Sequence, residues 1–171
     1  MHRNLHKPLI VFTPKSLLSR PDAVSPHREF LAPSRFRAVL PDPDAPAPDQ
    51  VTRAVFCTGK VYYDLAACRK ERNIADTVII RLEQIYPLAR EQLTFLLAPY
   101  QKVRDFVWCQ EEPSNMGAWG HLRNRLGHLF ATSFRYAGRP PMACPAEGAK
   151  ALHAAAQKRL LAAAFGPRAQ S

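Results

Sequence analysis

Between residues 51 and 165 the sequence alternates short apolar runs with longer stretches of helical periodicity. The short runs are typical of strands, whereas the longer stretches repeat apolar residues on one helical face. Strands are predicted at residues 51–58, 77–82, 106–109 and 133–136, and helices at 61–72, 87–98, 119–130 and 149–165. This alternation predicts an α/β fold, a doubly wound, mostly parallel sheet of about five strands with helices on both faces.

The residues before this alternation are expected to supply one more strand and a connector. A β-rich run at Pro8–Phe12 predicts the first strand, and Thr13 followed by proline predicts the start of a short helix. Nine of the 16 prolines lie within the first 48 residues, which favours an extended surface connector after that helix. The predicted organisation is a first strand and helix at 1–20, a connector at 21–50, the remainder of the same single domain at 51–166 and a tail at 167–171.

The chain carries a formal net charge of +10 at pH 7, and the excess of lysine and arginine lies at its two ends. Nucleic-acid binding favours a clustered basic stripe or a recognised motif; neither occurs, so no nucleic-acid partner is expected. No run of 18 apolar residues occurs, and no membrane-spanning helix is predicted. The four cysteines include no Cys-x-x-Cys pair, which is typical of reduced thiols in a cytosolic protein.

The third strand of the alternation is followed by acidic residues, proline and glycine before a helix begins. Glu111 and Glu112 are therefore predicted at the carboxyl edge of the sheet, where open α/β sheets place their sites. Two carboxylates raise the hypothesis of general acid–base catalysis, but adjacent side chains diverge, so a structural elbow is the favoured interpretation. In this elbow Asn115 caps the helix, Gly117 permits close backbone approach and Trp119 begins the apolar face.

Two predicted strand-to-helix junctions combine a threonine, a lysine and a helix N-terminus. Backbone amides with a hydroxyl and an ammonium suit an anion such as a nucleotide phosphate. The candidate residues for this anion, acyl-CoA or nucleotide site are Thr13, Lys15, Arg20, Thr58, Lys60 and Arg90. Ordinary helix capping with solvated lysines is the favoured alternative. No complete phosphate-binding loop and no histidine at metal-ligand spacing occurs, so neither a metal site nor a catalytic residue is predicted.

Six blocks of sequence carry a resemblance to a known family. They read KPLIVFTPKSLL from Lys7, TGKVYYD from Thr58, RLEQIYP from Arg81, DFVWCQEEP from Asp105, NMGAW from Asn115 and RYAGRP from Arg135. In this order they resemble the C-terminal domain of the thiamine-diphosphate-dependent, decarboxylating component of 2-oxoglutarate dehydrogenase. The resemblance covers nearly the whole chain, from Lys7 to about Gly166.

The resemblance implies a small α/β domain with the transketolase C-terminal fold, which helps to assemble a homodimer around active sites built elsewhere. In that family the full subunit binds thiamine diphosphate and magnesium and decarboxylates 2-oxoglutarate in the tricarboxylic acid cycle. It then passes the succinyl group to a lipoyl arm of the partner acyltransferase. The cofactor-binding and catalytic motifs lie in preceding domains, so this chain is expected to bind neither cofactor and to have no activity alone.

Two functions follow as expectations. The first is a structural and dimerisation domain, with the remaining domains of the subunit and its homodimer mate as partners and the acyltransferase as an indirect one. The alternative is a free-standing regulatory module that binds acetyl-CoA or a nucleotide such as AMP, because some relatives hold such a site in this domain. The expected location is the cytoplasm of a bacterium, or the mitochondrial matrix of a eukaryote.

The sequence also departs from the family pattern. Met116 stands where the family usually has glutamine, and Cys144 stands where a serine-like residue is commoner. The Pro/Asp/Ala-rich connector at 41–50 is particular to this chain. Met1 stands where the family has interior sequence, so the chain is expected to be a fragment that arises from truncation, a split reading frame or a disrupted gene.

Overall fold

The computed structural model describes residue 8, residues 10–11 and residues 13–166. The chain divides into two compact units, 1–34 and 35–171. The boundary between the units therefore falls inside the predicted Pro-rich connector.

The first unit contains short helical turns and has no strand at its described residues. Its two 3₁₀ helices span Lys15–Ser19 and His27–Phe30. The predicted strand at Pro8–Phe12 is not found, because Pro8, Ile10 and Val11 belong to no strand; the other two residues of that run lie outside the described residues. Ile10 and Val11 are exposed, so an apolar, β-prone run was not sufficient to give a strand without a pairing partner.

The second unit is built on a sheet of five strands. They are β1 (Val39–Leu40), β2 (Arg53–Cys57), β3 (Thr77–Leu82), β4 (Asp105–Pro113) and β5 (Phe134–Arg139). The spatial order is β1-β3-β2-β4-β5, in which β1 pairs antiparallel with β3 and all other neighbours are parallel. The predicted, mostly parallel sheet is confirmed, but its fifth strand comes from within the connector.

Four helices connect and cover the strands. They are α1 (Val61–Glu71), α2 (Arg90–Leu97), α3 (Trp119–Phe130) and α4 (Lys150–Phe165). Over the described ranges, each helix is too short or too polar to cross a bilayer. Parallel strands need crossovers that pass over a face of the sheet, and α1, α2 and α3 occupy such crossovers, whereas α4 follows the last strand.

The core has two layers, one on each face of the sheet. On the first face, Leu65 of α1 and Leu160 of α4 pack against alternate strand residues such as Val55 and Ile79. On the second face, Leu93 of α2, Leu122 and Leu126 of α3, and the buried side chains Phe56, Ile80 and Trp108 form one cluster. Because successive strand residues point to opposite faces, β2 and β3 bury nearly every side chain, which explains their continuous apolar sequence.

A buried ion pair ties the connector to the sheet. The side chain of Asp42 is 1% exposed and bonds to the Arg69 guanidinium of α1, with Nη2 2.9 Å from Oδ1. Asp42 Oδ2 also accepts a hydrogen bond of 2.8 Å from the backbone N–H of Ile79. The connector is therefore not a purely extended surface segment as predicted, since it contributes β1 and this anchor.

Candidate functional site

The carboxyl ends of β2, β4 and β5 meet at one edge of the sheet, as in other open parallel sheets. Polar side chains from these strand ends and from α1 and α4 gather there. They form three hydrogen-bonded groups, centred on Lys60, Arg139 and Gln110.

Lys60 lies just before α1 and bridges two carboxylates. Its Nζ is 2.6 Å from Glu111 Oε1 on β4 and 3.4 Å from Asp64 Oδ2 on α1. Gln157 of α4 donates a hydrogen bond of 2.9 Å to the same oxygen of Asp64. Partial burial by itself would lower the pKa of Lys60, but the hydrogen bonds and negative charges of Glu111 and Asp64 together outweigh it and raise this pKa above its ordinary value. The ammonium is thus held charged between its two partners.

Arg139, at the end of β5, is only 5% exposed and bonds in three directions. Its Nε is 2.7 Å from Glu147 Oε1, its Nη1 donates to the backbone oxygen of Glu111, and its Nη2 lies 3.1 Å from His153 Nδ1. The hydrogen bond from Arg139 lowers the pKa of Glu147. One guanidinium therefore joins β5, β4, the segment before α4, and α4 itself.

Gln110 organises the turn between β4 and α3. Its Oε1 accepts hydrogen bonds from Trp108 Nε1 at 2.8 Å and from the backbone N–H of Trp119 at 3.0 Å. Its Nε2 donates to Met116 O at 2.8 Å. Gly117 has a positive φ of 65°, and a Cβ there would lie 2.9 Å from Gln110 Nε2. The buried amide thus satisfies a helix N-terminus and requires the glycine beside it.

Sequence reasoning did not single out Gln110. The signal was a glutamine directly after four apolar residues of a predicted buried strand. A buried amide must find partners for both of its ends, and it takes them from the turn that follows.

The elbow residues are only partly placed as predicted. Glu111 and Glu112 lie inside β4, which continues to Pro113 because its last residues still pair with β5. Asn115 does not cap α3; its side chain instead exchanges hydrogen bonds with the backbone of Met142, at 3.0 and 3.1 Å. Ala118, at the N-cap position of α3, forms no side-chain cap. Instead the side chain of Gln110, which lies on β4, accepts the hydrogen bond from the backbone N–H of Trp119.

Gly117 and Trp119 complete the turn between β4 and α3. Gly117 does permit close approach, here of the Gln110 side chain. Trp119 begins α3, and its ring packs 5.3 Å from the ring of Tyr136 on β5. Burial raises the pKa of the Tyr136 hydroxyl to about 12. This hydroxyl lies 2.9 Å from Glu112 O and 3.0 Å from Arg139 O, so it stays a neutral structural donor.

The six candidate anion-site residues occupy different parts of the chain. Thr58 and Lys60 lie at the carboxyl end of β2, as predicted. Arg90 is the exposed first residue of α2. Thr13, Lys15 and Arg20 belong to the first unit, in which Arg20 pairs with Asp22 at 2.7 Å. The strand expected to bring the first junction to the sheet edge is not formed, so a joint anion site stays a prediction.

Carboxylates at the carboxyl edge are paired with cations. A magnesium site needs oxygen ligands that converge on one point. Across residues 13–166 and the few described before them, no three His, Cys, Asp or Glu side chains gather in that way. Glu111 and Glu147 face Lys60 and Arg139 instead.

The opposite end of the sheet holds a second charged cluster. Asp105, at the start of β4, accepts Arg53 Nε at 2.7 Å and Arg135 Nη2 at 2.9 Å. Burial by itself would raise the pKa of Asp105, but the bonds from the two arginines outweigh it and hold this pKa below its ordinary value. Arg53 also donates to Phe165 O at 2.7 Å and Gly166 O at 3.0 Å, so its cation closes the C-terminus of α4.

Comparison with known proteins gives the family. Residues 24–165 match the family model described as 2-oxoglutarate dehydrogenase C-terminal. The chain belongs to this family. It is 45% identical to the 2-oxoglutarate dehydrogenase E1 component of Cupriavidus necator over 167 residues, which is 96% of this chain and 18% of that protein. It is 42% identical to the mitochondrial 2-oxoglutarate dehydrogenase of Caenorhabditis elegans, over 94% of this chain and 16% of that protein.

The fraction of each chain that the match covers is as informative as the sequence identity. The E1 component of Azotobacter vinelandii is also 45% identical, and here too the match covers 95% of this chain and 18% of the relative. The chain therefore spans less than a fifth of the length of these curated relatives. Among solved structures, a split-gene transketolase described as an inactive β4 tetramer is similar at a TM-score of 0.54 and 13% identity, over 76% of this chain and 42% of that chain. That likeness shows the transketolase-like fold alone.

Proposed function

We propose that this chain is the C-terminal domain of the decarboxylating component of a 2-oxoglutarate dehydrogenase, with a structural and dimerisation role. The observation that carries the proposal is the family match over residues 24–165. In the complete subunit the reaction would be the oxidative decarboxylation of 2-oxoglutarate in the tricarboxylic acid cycle, with succinyl transfer to a lipoyl group. The location would be the cytoplasm of a bacterium or the mitochondrial matrix.

The geometry of the carboxyl edge supports a role without catalysis. Lys60 is held between two carboxylates, Arg139 bonds three groups, and Gln110 supports a turn. Side chains that already satisfy one another are suited to fixing a fold rather than to binding a reacting molecule. Thiamine diphosphate and magnesium would be held by other parts of the subunit, where they supply the carbanion chemistry of decarboxylation.

The domain would act by burying surface. Contact with the preceding domains and with the homodimer mate would hold the cofactor-binding domains in register, and catalysis depends on such positioning. The acyltransferase of the complex would be an indirect partner, reached through the assembled subunit.

The proposal is tested by reconstitution. The chain is mixed with the separately produced part of the Cupriavidus necator protein that precedes its match, and the mixture is analysed by sedimentation and by 2-oxoglutarate decarboxylation with thiamine diphosphate and magnesium. A complex that gains activity that neither part has alone is expected. Turnover by the isolated chain that Glu111→Gln abolishes, or a folded chain that ignores the other part, would contradict the proposal.

The alternative of a regulatory module for acetyl-CoA or a nucleotide stays a prediction with less support. Its candidate residue Lys60 already has two carboxylate partners, and an entering phosphate would have to displace them. The alternative expects a rise in melting temperature on addition of acetyl-CoA or AMP, and loss of this rise in a chain with Lys15→Ala and Lys60→Ala, since a ligand that binds only the folded state stabilises it.

A further inference from the structure

An apolar groove runs along the β1 edge of the sheet, within the second unit. It has a volume of about 470 Å³ and lies between the start of β1 and the exposed side of α2. Phe36, Val39 and Pro41 form one wall. Phe95 and Leu96 of α2 form the other, and the polar residues Arg37, Glu91 and Gln92 also line the groove.

The two aromatic side chains of the groove are mostly exposed. Phe36 is 72% exposed and Phe95 is 79% exposed. Leu93 and Leu97 of the same helix are buried in the core, so α2 already has a complete inward face without Phe95. Two exposed phenylalanines that line one groove are more than scattered surface apolar residues, and such patches mark binding surfaces.

The groove also lies beside an open strand edge. β1 pairs with β3 on one side, and no strand within residues 35–166 pairs with its other side. An extended segment placed there gains backbone hydrogen bonds from the strand edge while its side chains enter the groove. The groove and the open strand edge together therefore fit an extended polypeptide segment.

We propose that this groove binds an extended apolar segment from the rest of the 2-oxoglutarate dehydrogenase subunit, the part of the relatives that this chain does not span. This inference rests on the proposed function and adds the surface by which it operates. The chain spans 18% of the Cupriavidus necator protein, so a large partner surface exists in the relatives. A second copy of this chain is the competing occupant of the groove, and the test below distinguishes the two.

The chemistry of the groove disfavours a small polar ligand. Its lining is mostly apolar, and its only two charged residues among those that the structure describes are Arg37 and Glu91. Neither is among the buried residues, so no buried charge would orient a small molecule.

The test compares two faces of the domain. Phe36→Glu and Phe95→Glu place a charge in the groove, whereas Leu152→Glu is the matched control, because Leu152 is 60% exposed on α4 and outside the groove. Each full-length chain is titrated against the preceding part of the Cupriavidus necator protein, and the complex is followed by calorimetry and sedimentation. Because all three side chains are exposed, each variant should retain the melting temperature of the parent chain.

The expected result is that each groove variant weakens the complex by about tenfold or more, while Leu152→Glu changes the dissociation constant less than about twofold. Equal binding by all variants would show that the groove is not the binding surface, but it would not contradict the proposed function. Failure of the unaltered chain to bind would overturn both. A self-association of the unaltered chain that Phe95→Glu abolishes, without a change in binding to the other part, would show a second copy in the groove and overturn the inference.

Discussion

The two lateral edges of the sheet are held in different ways. At one edge, β5 is bonded at both ends to α4, through Arg135 at its start and Arg139 at its end. At the other edge, β1 has only two residues and depends on the side chain of Asp42, which follows it. At the β5 edge, the chain's own last helix supplies the hydrogen-bond partners of the strand. Beside the β1 edge, the side chains of Phe36 and Phe95 remain exposed.

This difference separates residues that hold the fold from residues that await a partner. Charged side chains at the β5 edge are hydrogen-bonded, so removal of one leaves its partners unsatisfied inside the protein. Substitution of the exposed aromatic rings at the β1 edge should change the unfolding free energy of the isolated chain very little.

The largest effect is expected at the anchor of β1. Asp42→Ala leaves the Arg69 guanidinium, only 7% exposed, without its counter-charge, and the Ile79 amide without its acceptor. We expect a loss of about 3–5 kcal/mol in unfolding free energy, measured by urea denaturation. Asp44→Ala, at an exposed position two residues away, is the control and should cost less than about 0.5 kcal/mol. A loss below about 1 kcal/mol for Asp42→Ala would mean that β1 does not depend on this pair.

A smaller effect is expected at Asp105, which begins β4 and pairs with Arg135 of β5. Asp105→Asn keeps the shape of the side chain but removes the negative charge between Arg53 and Arg135. We expect a loss of about 2 kcal/mol at neutral pH, since hydrogen bonds to charged groups contribute in this range. An unchanged urea midpoint would show that the two arginines hold α4 through its backbone carbonyls alone.

The same site gives a pH dependence whose sign is fixed. The folded-state pKa of Asp105 is below its ordinary value, so its stabilising contribution is present above the unfolded-state pKa and is lost as pH falls through the folded-state pKa. The gap in unfolding free energy between the parent chain and Asp105→Asn should therefore narrow as pH is lowered from about 4, the ordinary pKa of an aspartate. A gap for Asp105→Asn that stays constant as pH falls would contradict the assignment.

The smallest effect is expected in the groove. Phe95→Glu should change the unfolding free energy of the isolated chain by less than about 0.5 kcal/mol, because the ring is mostly exposed. For contrast, Leu93→Ala on the buried face of the same helix should cost about 2–5 kcal/mol. A large loss of unfolding free energy from Phe95→Glu would indicate that this ring belongs to the core. The β1 and β5 edges would then not differ in the way described above.

The regular part of the fold was predictable because its signals are local. The continuous Val-Ile-Ile run of β3 and the repeated leucines of α3 predict their elements at nearly the observed bounds. The family was also readable from short blocks such as that beginning at Asp105. The prediction of the first strand was wrong for a physical reason: an apolar run becomes a strand only if a neighbouring strand accepts its hydrogen bonds, and the described residues Pro8, Ile10 and Val11 belong to no strand.

The candidate site was less predictable than the fold. Glu111 and Lys60 were both singled out, but their separation of 51 residues hid the fact that they pair with each other. The role of Gln110 could not be predicted from the sequence, because a single buried amide belongs to no sequence motif. Its role as the cap of α3 depends on the turn after β4 folding back over it.

The sequence by itself determined the alternation of strands and helices, the family, and the two apolar faces of the sheet, because periodicity and short blocks are properties of neighbouring residues. Only the tertiary structure decided which strand occupies the edge, which lysine meets which carboxylate, and which aromatic rings stay exposed. These features depend on contacts between residues far apart in the chain, whose free energy exists only once the sheet has brought them together.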